Sequence, residues 1–376
     1  MQLSRPAGNA RRVFSPWRVA ACGCLALLLA SCAGQGPRVA READVRAVVA
    51  SALPAAISDR AGWSSDIAGS FTELGLPPTR ENACAVVAVI EQESGFQVDP
   101  VIPGLGRLAL RTIDVRASHA GLPLVLVHAA LELKSTDGRT YRARIEAAHT
   151  EKQLSDVYED FIGRVPLGRR LFASWNPIRT RGPMQVNVAF AEQFEAIKPY
   201  PYHDNRRDLR DELFTRRASI YFGVAHLLGY QPPYDRYLYR FADYNAGQYA
   251  SRNAAFQQAA SIVAGRPLIA DGALLAHDPS AKGAGSTERL LLSIAGRLGE
   301  SNAEIRAALE QGTAASFEQT KLYRRVFALA DRRSGRRLPR AVLPRIRLEG
   351  PKIVRRLTTG WYAQRVNGRF ERCVRG

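Results

Sequence analysis

The sequence predicts a mainly α-helical fold of the α+β class, with one large helical domain, a large helical insertion and a small C-terminal β-hairpin. Apolar residues recur at helical spacing in most segments between residues 42 and 345, and Gly or Pro residues separate these segments. In residues 346–376, apolar and polar residues alternate as they do in strands. We therefore expect the helical domain to span residues 42–345 and the hairpin segment to pack on it.

Residues 1–31 are predicted to be a lipoprotein signal peptide. Four arginines precede the apolar run Val19–Ala30, which is too short to span a bilayer. The run ends in Leu29-Ala30-Ser31-Cys32, which resembles the bacterial lipobox, whose cysteine becomes the lipidated first residue. We expect lipidation at Cys32 and a tether over residues 32–41. An ordinary signal peptide with a chance cysteine is the alternative.

The predicted lipid anchor and the charge indicate where the protein lies. Residue 33 is Ala rather than Asp, which in such lipoproteins implies the periplasmic face of the outer membrane. The 376-residue chain has a formal net charge of +18, and removal of residues 1–31 leaves +14. Strong basicity favours a polyanionic partner. For an exported lipoprotein, cell wall or lipid headgroups are better candidates than nucleic acid, and a solvated basic surface is the alternative.

Most of the mature chain is predicted to be helical. The segments with helical spacing are Arg38–Pro54, Asp59–Pro78, Arg80–Glu93, Leu105–Ser118, Tyr141–Val165, Val186–Ile197, Asp208–Tyr230, Tyr237–Tyr244, Ala254–Ala264, Thr287–Gly299, Asn302–Gln311 and Ser316–Arg332. Leu122–Leu133 is apolar enough to be either a helix or a strand. Trp175–Gln185 contains two prolines and is predicted to be a loop or a short strand pair.

The segment Arg80–Glu93 is the best candidate for a catalytic helix. Its apolar residues are expected to be buried, and they lead to Glu93-Ser94-Gly95, where the helix ends. A carboxyl beside apolar walls keeps its proton to higher pH and is suited to act as a general acid. The alternative is a surface glutamate at an ordinary helix end. Glu91 lies on another side of the helix and is expected to be structural or exposed.

Two later stretches strengthen the catalytic interpretation. They are Gly182-Pro183-Met184-Gln185 and Asp243-Tyr244-Asn245-Ala246-Gly247. In this order after Glu93-Ser94, they resemble the motifs of lytic transglycosylases with the goose-type lysozyme fold. Pro183 and Asp243 depart from the family pattern, which has Leu and Ala there. Glu93 and Gly182 are also 89 positions apart, so residues 98–175 are interpreted as an insertion.

The resemblance implies cleavage of peptidoglycan glycan strands with Glu93 as a single general acid and base. The 6-hydroxyl of the substrate then attacks, and a 1,6-anhydromuramoyl end results. Substrate-binding roles are implied for Ser94, Met184, Gln185, Tyr244 and Asn245. The Tyr244 hydroxyl is expected to hold Glu93 in place, and Met184 to pack the cleft. The alternatives are a cap of the helix end for Ser94 and a core aromatic for Tyr244.

Three functions remain open from the sequence. The first is a lytic transglycosylase, and the second is a lysozyme-like hydrolase that uses water in the same cleft. The third is a lipoprotein that binds peptidoglycan without cleaving it, which the departures at Pro183 and Asp243 favour. No cofactor is expected, and no metal, because none of the six histidines shows zinc-site spacing.

A disulfide and a C-terminal hairpin are predicted from the cysteines and the tail. If Cys32 is lipidated, Cys84 and Cys373 remain as a pair, which in an oxidising compartment is expected to form a disulfide. In the tail, Asn367-Gly368 is a type I′ turn sequence between the alternating segments Trp361–Val366 and Arg369–Val374. The disulfide would tie this hairpin to the catalytic helix.

The lipidation prediction can be tested with Cys32→Ala. We expect this variant to remain an uncleaved precursor or to become soluble, because it lacks the acylated residue. Membrane fractionation beside the wild-type protein measures this. Recovery of the variant with the outer membrane in the wild-type amount would contradict the prediction.

Overall fold

A computed structural model of the protein describes residues 42–164, 170, 176–204, 207–276, 284–348 and 355–376. The predicted signal peptide, Cys32, the tether and parts of the insertion and of the hairpin segment lie outside the described residues. Within them, helices dominate and strands are few, which confirms the mainly α-helical class.

The α-helices are α1 (Glu42–Ala52), α2 (Arg60–Leu74), α3 (Arg80–Glu93), α4 (Leu105–His119), α5 (Leu124–Leu131), α6 (Tyr141–Glu146), α7 (Glu151–Gly163), α8 (Val188–Ile197), α9 (Leu209–Glu212), α10 (Arg216–Leu228), α11 (Tyr237–Ala246), α12 (Ala250–Ala264), α13 (Ser286–Leu292), α14 (Ala295–Leu298), α15 (Asn302–Glu310), α16 (Lys321–Ser334) and α17 (Thr359–Arg375). Two 3₁₀ helices, Gln311–Thr313 and Ala315–Gln319, connect α15 to α16. Strand β1 (Thr180–Arg181) pairs with β2 (Val186–Asn187) in an antiparallel ladder.

Helix α3 is the centre of the largest hydrophobic cluster. The Thr79 hydroxyl accepts a hydrogen bond from the Asn82 N–H at 3.1 Å and begins the helix. Residues 83–90 are each at most 2% exposed, as expected for a helix that is apolar on all sides. Helices α1, α10 and α17 pack around it.

Two smaller hydrophobic clusters accompany this core. One is formed by residues of α12 to α16, and the other lies under the insertion between α4 and α7. The insertion cluster includes Leu105, Tyr141, Leu154 and Val157. All of these elements belong to one compact unit, residues 42–376.

The loop between β1 and β2 needs a glycine at its first position. Gly182 has φ +69°, and a Cβ there would lie 2.2 Å from the Leu213 carbonyl oxygen. The loop therefore packs directly on the chain that leads into α10. A short strand pair was predicted within Trp175–Gln185, and β1 lies there, but β2 begins at Val186, so α8 begins at Val188 rather than at the predicted Val186.

The segment predicted as one helix, Asp208–Tyr230, is two helices. The Thr215 hydroxyl accepts a hydrogen bond from the Ala218 N–H at 3.3 Å, so α10 has its own N-cap. The apolar spacing continues across the break, which is why the pattern predicted a single helix.

Asp243 is a buried structural carboxylate. It is fully buried in α11 and accepts hydrogen bonds from the hydroxyls of Tyr230, at 2.8 Å, and Tyr234. It also accepts one from the Ser251 N–H at 2.7 Å, in the first turn of α12. Burial raises the pKa of this carboxyl, and the hydrogen bonds act in the opposite direction. Asp243 therefore joins α11 to α12.

The predicted C-terminal hairpin is wrong. Residues Thr359–Arg375 form the helix α17, and Asn367-Gly368 lies within it. The Thr358 hydroxyl caps this helix by accepting from the Trp361 N–H at 3.1 Å. Tyr362, Val366, Phe370 and Cys373 follow at helical spacing and pack toward α3 and α11. Burial of this face outweighs the local turn preference of Asn-Gly.

In the described part of the chain, no helix combines the length and the apolarity that a bilayer span requires.

The predicted disulfide between Cys84 and Cys373 is confirmed. It joins α3 to α17, and not to a hairpin. The Arg80 side chain adds hydrogen bonds to the carbonyl oxygens of Cys373, at 2.8 Å, and Val374, at 3.2 Å. The end of α17 is thus fixed to the start of α3.

Removal of this disulfide should destabilise the protein. The cysteines are 289 positions apart, so the double variant Cys84→Ser/Cys373→Ser is expected to lose up to about 5 kcal/mol of unfolding free energy. Urea unfolding measures the loss, and reduced wild-type protein is the matched control. An unchanged free energy, or two free thiols in protein purified from an oxidising compartment, would contradict the prediction.

Candidate active site

Glu93 lies at the last position of α3, next to a large cavity. Its Oε1 accepts a hydrogen bond from the Tyr362 hydroxyl at 2.5 Å. Burial raises the pKa of the Glu93 carboxyl from 4.5 to about 7, the bond from Tyr362 acts in the opposite direction, and the charge of Glu151 adds to the rise. The side chain keeps a partly exposed face. A carboxyl with this pKa is half protonated near neutral pH and is suited to proton transfer.

The cavity has a volume of about 990 Å³ and is formed by the segments that the sequence singled out. Glu93, Gln185, Tyr244 and Asn245 all line it, together with Tyr362. Residues from α8, α12, the loop at 272–275 and the end of α15 form the remaining walls. The structure therefore brings the three predicted motifs into one cleft.

The lining of this cavity combines neutral polar side chains with aromatic ones. Among the described residues that line it, none is Lys or Arg, and the carboxylates are Glu93 and Glu310. Amide side chains are frequent: Gln185, Asn187, Gln193, Asn245, Gln248 and Asn253. The basic surface of the chain therefore does not extend into the cleft, and the lining suits an uncharged polar ligand better than a polyanion.

Aromatic rings form a row along the cavity wall. Phe190 stacks on His226 with ring centroids 4.3 Å apart, and His226 lies 4.9 Å from Tyr244. Burial lowers the pKa of the His226 imidazole to about 4, so this ring is neutral at neutral pH. The row offers flat apolar faces next to the amide groups, an arrangement typical of ligand pockets.

A second, smaller cavity of about 250 Å³ is also lined by Glu93. Glu93 and Gln185 line both cavities. The insertion supplies Glu151, at the start of α7, to this smaller cavity, and Asp99 lines it as well. The insertion therefore reaches the candidate site, with Glu151 as the residue that sequence reasoning missed.

Gln185 is held by its neighbours on both sides of its amide. Its Nε2 donates to Glu151 Oε2 at 3.1 Å and to the Gly182 carbonyl oxygen at 3.3 Å. Its Oε1 accepts from the Thr180 hydroxyl at 2.8 Å. Its backbone has φ +51°, which is uncommon for a residue other than glycine. Such local strain is often found at functional sites.

The expected contact between Tyr244 and Glu93 is wrong, because Tyr362 makes it instead. The Tyr244 hydroxyl donates to the Met184 carbonyl oxygen at 2.7 Å. Tyr244 still lines the cavity, and the charge of Glu93, added to burial, raises the pKa of its phenol. The sequence pattern predicted a strand over Trp361–Val366, and for that reason it did not indicate a role for Tyr362. The helical spacing of Tyr362, Val366 and Phe370 was the signal that could have identified it.

Ser94 and Met184 lie behind the cleft rather than in it. The Ser94 hydroxyl donates to the Ile90 carbonyl oxygen at 3.1 Å, which agrees with the helix-capping alternative. The Met184 side chain is fully buried against Gly223, where a Cβ would lie 2.5 Å from its sulfur. Neither residue lines the two cavities, so substrate contacts through them are not supported by the geometry.

Asn245 and Glu91 are fixed by α17. Asn245 Oδ1 accepts from the Thr359 hydroxyl at 2.7 Å, and its Nδ2 remains as a donor. Glu91 lies outside the cavities and forms an ion pair with Arg369 at 3.2 Å. Glu91 is therefore structural, as predicted. In the part of the chain that the structure describes, no cluster of His, Cys, Asp or Glu side chains could hold a metal ion.

The fold and site define a mainly helical protein with a buried acid in a neutral cleft. Residues 56–375, which include both cavities, match the family described as "Protein of unknown function (DUF1615)", and the chain belongs to this family. It is similar to "Uncharacterized protein YaiW" of Escherichia coli (strain K12), with 47% identity over 353 residues, 93% of this chain and 96% of that protein. No solved structure gives a significant match.

The raised pKa of Glu93 predicts a pH-dependent stability. Folding favours the protonated carboxyl, so this contribution is fully present below about pH 4.5 and is lost as the pH rises through about 7. Relative to Glu93→Gln, the wild-type protein should lose up to about 3 kcal/mol of unfolding free energy over this range, an upper figure because one face of Glu93 is exposed.

Urea unfolding of both proteins from about pH 4 to about pH 8 measures this difference. The lowest pH is the internal control, because Glu93 is then mostly protonated in both the folded and the unfolded states. A difference that does not change with pH would contradict the prediction.

Proposed function

We propose that this protein is a peptidoglycan lytic transglycosylase, anchored by a lipid at Cys32 to the periplasmic face of the outer membrane. Glu93 is its single general acid and base, and its substrate is the β-1,4 bond between N-acetylmuramic acid and N-acetylglucosamine. The basis in sequence is the order of the three motifs, which resembles that of lytic transglycosylases.

One observation carries the proposal. Glu93 lies in a cleft of about 990 Å³ with a pKa raised to about 7, next to amide and aromatic side chains. A neutral carboxylic acid is needed to protonate a leaving glycosidic oxygen. Amide groups can bind the N-acetyl and hydroxyl groups of the sugars, and the row of Phe190, His226 and Tyr244 can pack against their apolar faces.

The reaction needs no group beyond the substrate and Glu93. Neutral Glu93 donates its proton to the glycosidic oxygen as the bond from that oxygen to C1 of the muramoyl sugar breaks. The resulting carboxylate accepts the proton of the 6-hydroxyl as that oxygen bonds to C1. The product is a 1,6-anhydro end, Glu93 is neutral again, and no water is consumed.

Tyr362 and Gln185 have supporting roles in this mechanism. The Tyr362 hydroxyl fixes one carboxyl oxygen, so the other is the one that exchanges the proton. The same bond also stabilises the carboxylate formed after proton donation. Gln185 is held between Glu151 and Thr180, and its side chain lines both cavities beside Glu93.

A lysozyme-type hydrolase is the second candidate, and Glu151 is the observation that favours it. Glu151 lines the small cavity beside Glu93, and its charge raises the Glu93 pKa. Most glycosidases use two carboxylates, and the second one activates water or acts as a nucleophile. A lipoprotein that only binds glycan strands is the third candidate, and it predicts no turnover.

Digestion of purified peptidoglycan tests the proposal with four proteins. Wild type should release products lighter than hydrolysed muropeptides by the mass of one water. Glu93→Gln keeps the shape of the side chain but cannot donate the proton, so turnover should fall by roughly 10²–10⁴, or about 3–5 kcal/mol of barrier. Glu91→Gln, on the same helix but outside the cavities, is the matched control and should keep wild-type turnover.

Glu151→Gln separates the two catalytic candidates. A transglycosylase should retain its anhydro products in this variant, whereas a hydrolase that needs Glu151 should lose turnover as Glu93→Gln does. Hydrolysed ends from the wild-type protein would contradict the transglycosylase proposal. Equal turnover by wild type and Glu93→Gln would remove Glu93 from the site.

A further inference from the structure

Exposed apolar side chains are concentrated in one part of the insertion. Of the eleven large hydrophobic residues that are exposed among the described residues, six fall between positions 115 and 133. They are Val115, Leu122, Leu124, Val125, Leu126 and Leu133. Single exposed apolar residues are ordinary, but a contiguous group marks an interaction surface.

Helix α5 is the centre of this group. Its sequence, Leu-Val-Leu-Val-His-Ala-Ala-Leu, contains no charged residue other than a titratable His128. Val125 is 79% exposed and Leu126 66% exposed, while Leu131 is buried in the insertion cluster. A helix at a water-exposed surface normally has a polar outer face, and α5 has an apolar one.

The surroundings of α5 are basic. Arg107, Arg111 and Val115 follow at four-residue spacing and form one exposed ridge of α4, the helix that packs against α5. Of the nearby acids, Glu132 pairs with Arg142 at 2.5 Å, and Asp114 forms a hydrogen bond with His128 Nε2 at 2.9 Å. Helix α4 has three arginines, Arg107, Arg111 and Arg116, and one carboxylate, Asp114, so the helix next to α5 carries a net positive charge.

We propose that α5 is a membrane-docking helix that inserts its apolar face into an anionic lipid surface, with the arginines of α4 at the headgroups. An apolar face beside Lys or Arg is the composition of helices that lie in the bilayer interface. Arginines near such a surface contribute roughly 1 kcal/mol each. Their long side chains can reach headgroups while the apolar residues enter the acyl boundary.

The size of the surface favours a bilayer over a second protein. Helix α5 has eight residues and is about 12 Å long. It is too small for the ~800 Å² per partner of a standard protein interface. An interfacial helix needs only to bury its apolar face ~5–10 Å deep.

The proposed lipid anchor would keep the described part of the chain close to a bilayer. Ten positions separate Cys32 from the first residue of α1, Glu42, and an extended chain of that length spans at most about 35 Å. The argument from the anchor rests on the lipidation at Cys32 in the proposed function. The exposed apolar patch is observed independently of that lipidation.

Vesicle co-sedimentation of the mature chain, residues 32–376 with Cys32→Ala, tests the docking helix without the lipid and without the apolar run of the signal peptide. We expect binding to vesicles that contain phosphatidylglycerol and weaker binding to pure phosphatidylcholine. The double variant Val125→Asp/Leu126→Asp should bind the anionic vesicles roughly tenfold or more weakly, because it removes the two most exposed apolar groups between positions 115 and 133. Ile269→Asp, at an apolar residue that is 67% exposed outside the insertion, is the matched control and should bind as the parent does.

Three outcomes would overturn the docking helix. They are no vesicle binding by the Cys32→Ala protein, equal binding by the Val125→Asp/Leu126→Asp variant, and a dimer in analytical ultracentrifugation that this variant abolishes without any vesicle binding. Adding Glu93→Gln should leave vesicle binding unchanged. Loss of the proposed catalysis and loss of docking are therefore distinguishable.

Discussion

The docking of α17 onto α3 is the interaction on which the candidate site depends. It places the Tyr362 hydroxyl on Glu93, the Thr359 hydroxyl on Asn245 and Arg369 on Glu91. The disulfide between Cys84 and Cys373 fixes the far end of the same helix pair. Residues at the two ends of the matched family range therefore build one site, and the C-terminal helix is part of the catalytic apparatus that we propose.

Burial of Glu93 raises the pKa of its carboxyl, and the proposed proton transfer depends on that raised pKa. The apolar surroundings disfavour the carboxylate, and Tyr362 offsets part of that cost with a single hydrogen bond. Glu151 acts in the same direction as burial, since a like charge nearby also favours the neutral acid. The result is an acid that can give up a proton near neutral pH and take one back.

Sequence patterns predicted the helices whose ends have local signals. They did not predict the site residues that are brought in by packing between distant parts of the chain. The bounds of α3 were predicted because Pro77-Pro78 precede its start and Gly95 follows its end, and the structure has the same bounds, Arg80–Glu93. Tyr362 was missed because the turn preference of Asn367-Gly368 predicted a hairpin in place of the helix α17. The helix forms because its apolar face packs on α3, and this contact between distant parts of the chain cannot be read from the local sequence. Glu151 was missed because it meets Gln185 across 34 positions, and no local pattern records that contact.

Glu93 must be about half protonated near pH 7 in the folded protein for the proposed mechanism to operate. Carbon-13 NMR of the side-chain carboxyl groups measures its titration directly, and the resonance is assigned by its absence in Glu93→Gln. The account predicts a midpoint near 7. A midpoint near the ordinary value of 4.5 would contradict it, because Glu93 would then be ionised under the conditions in which it must donate a proton.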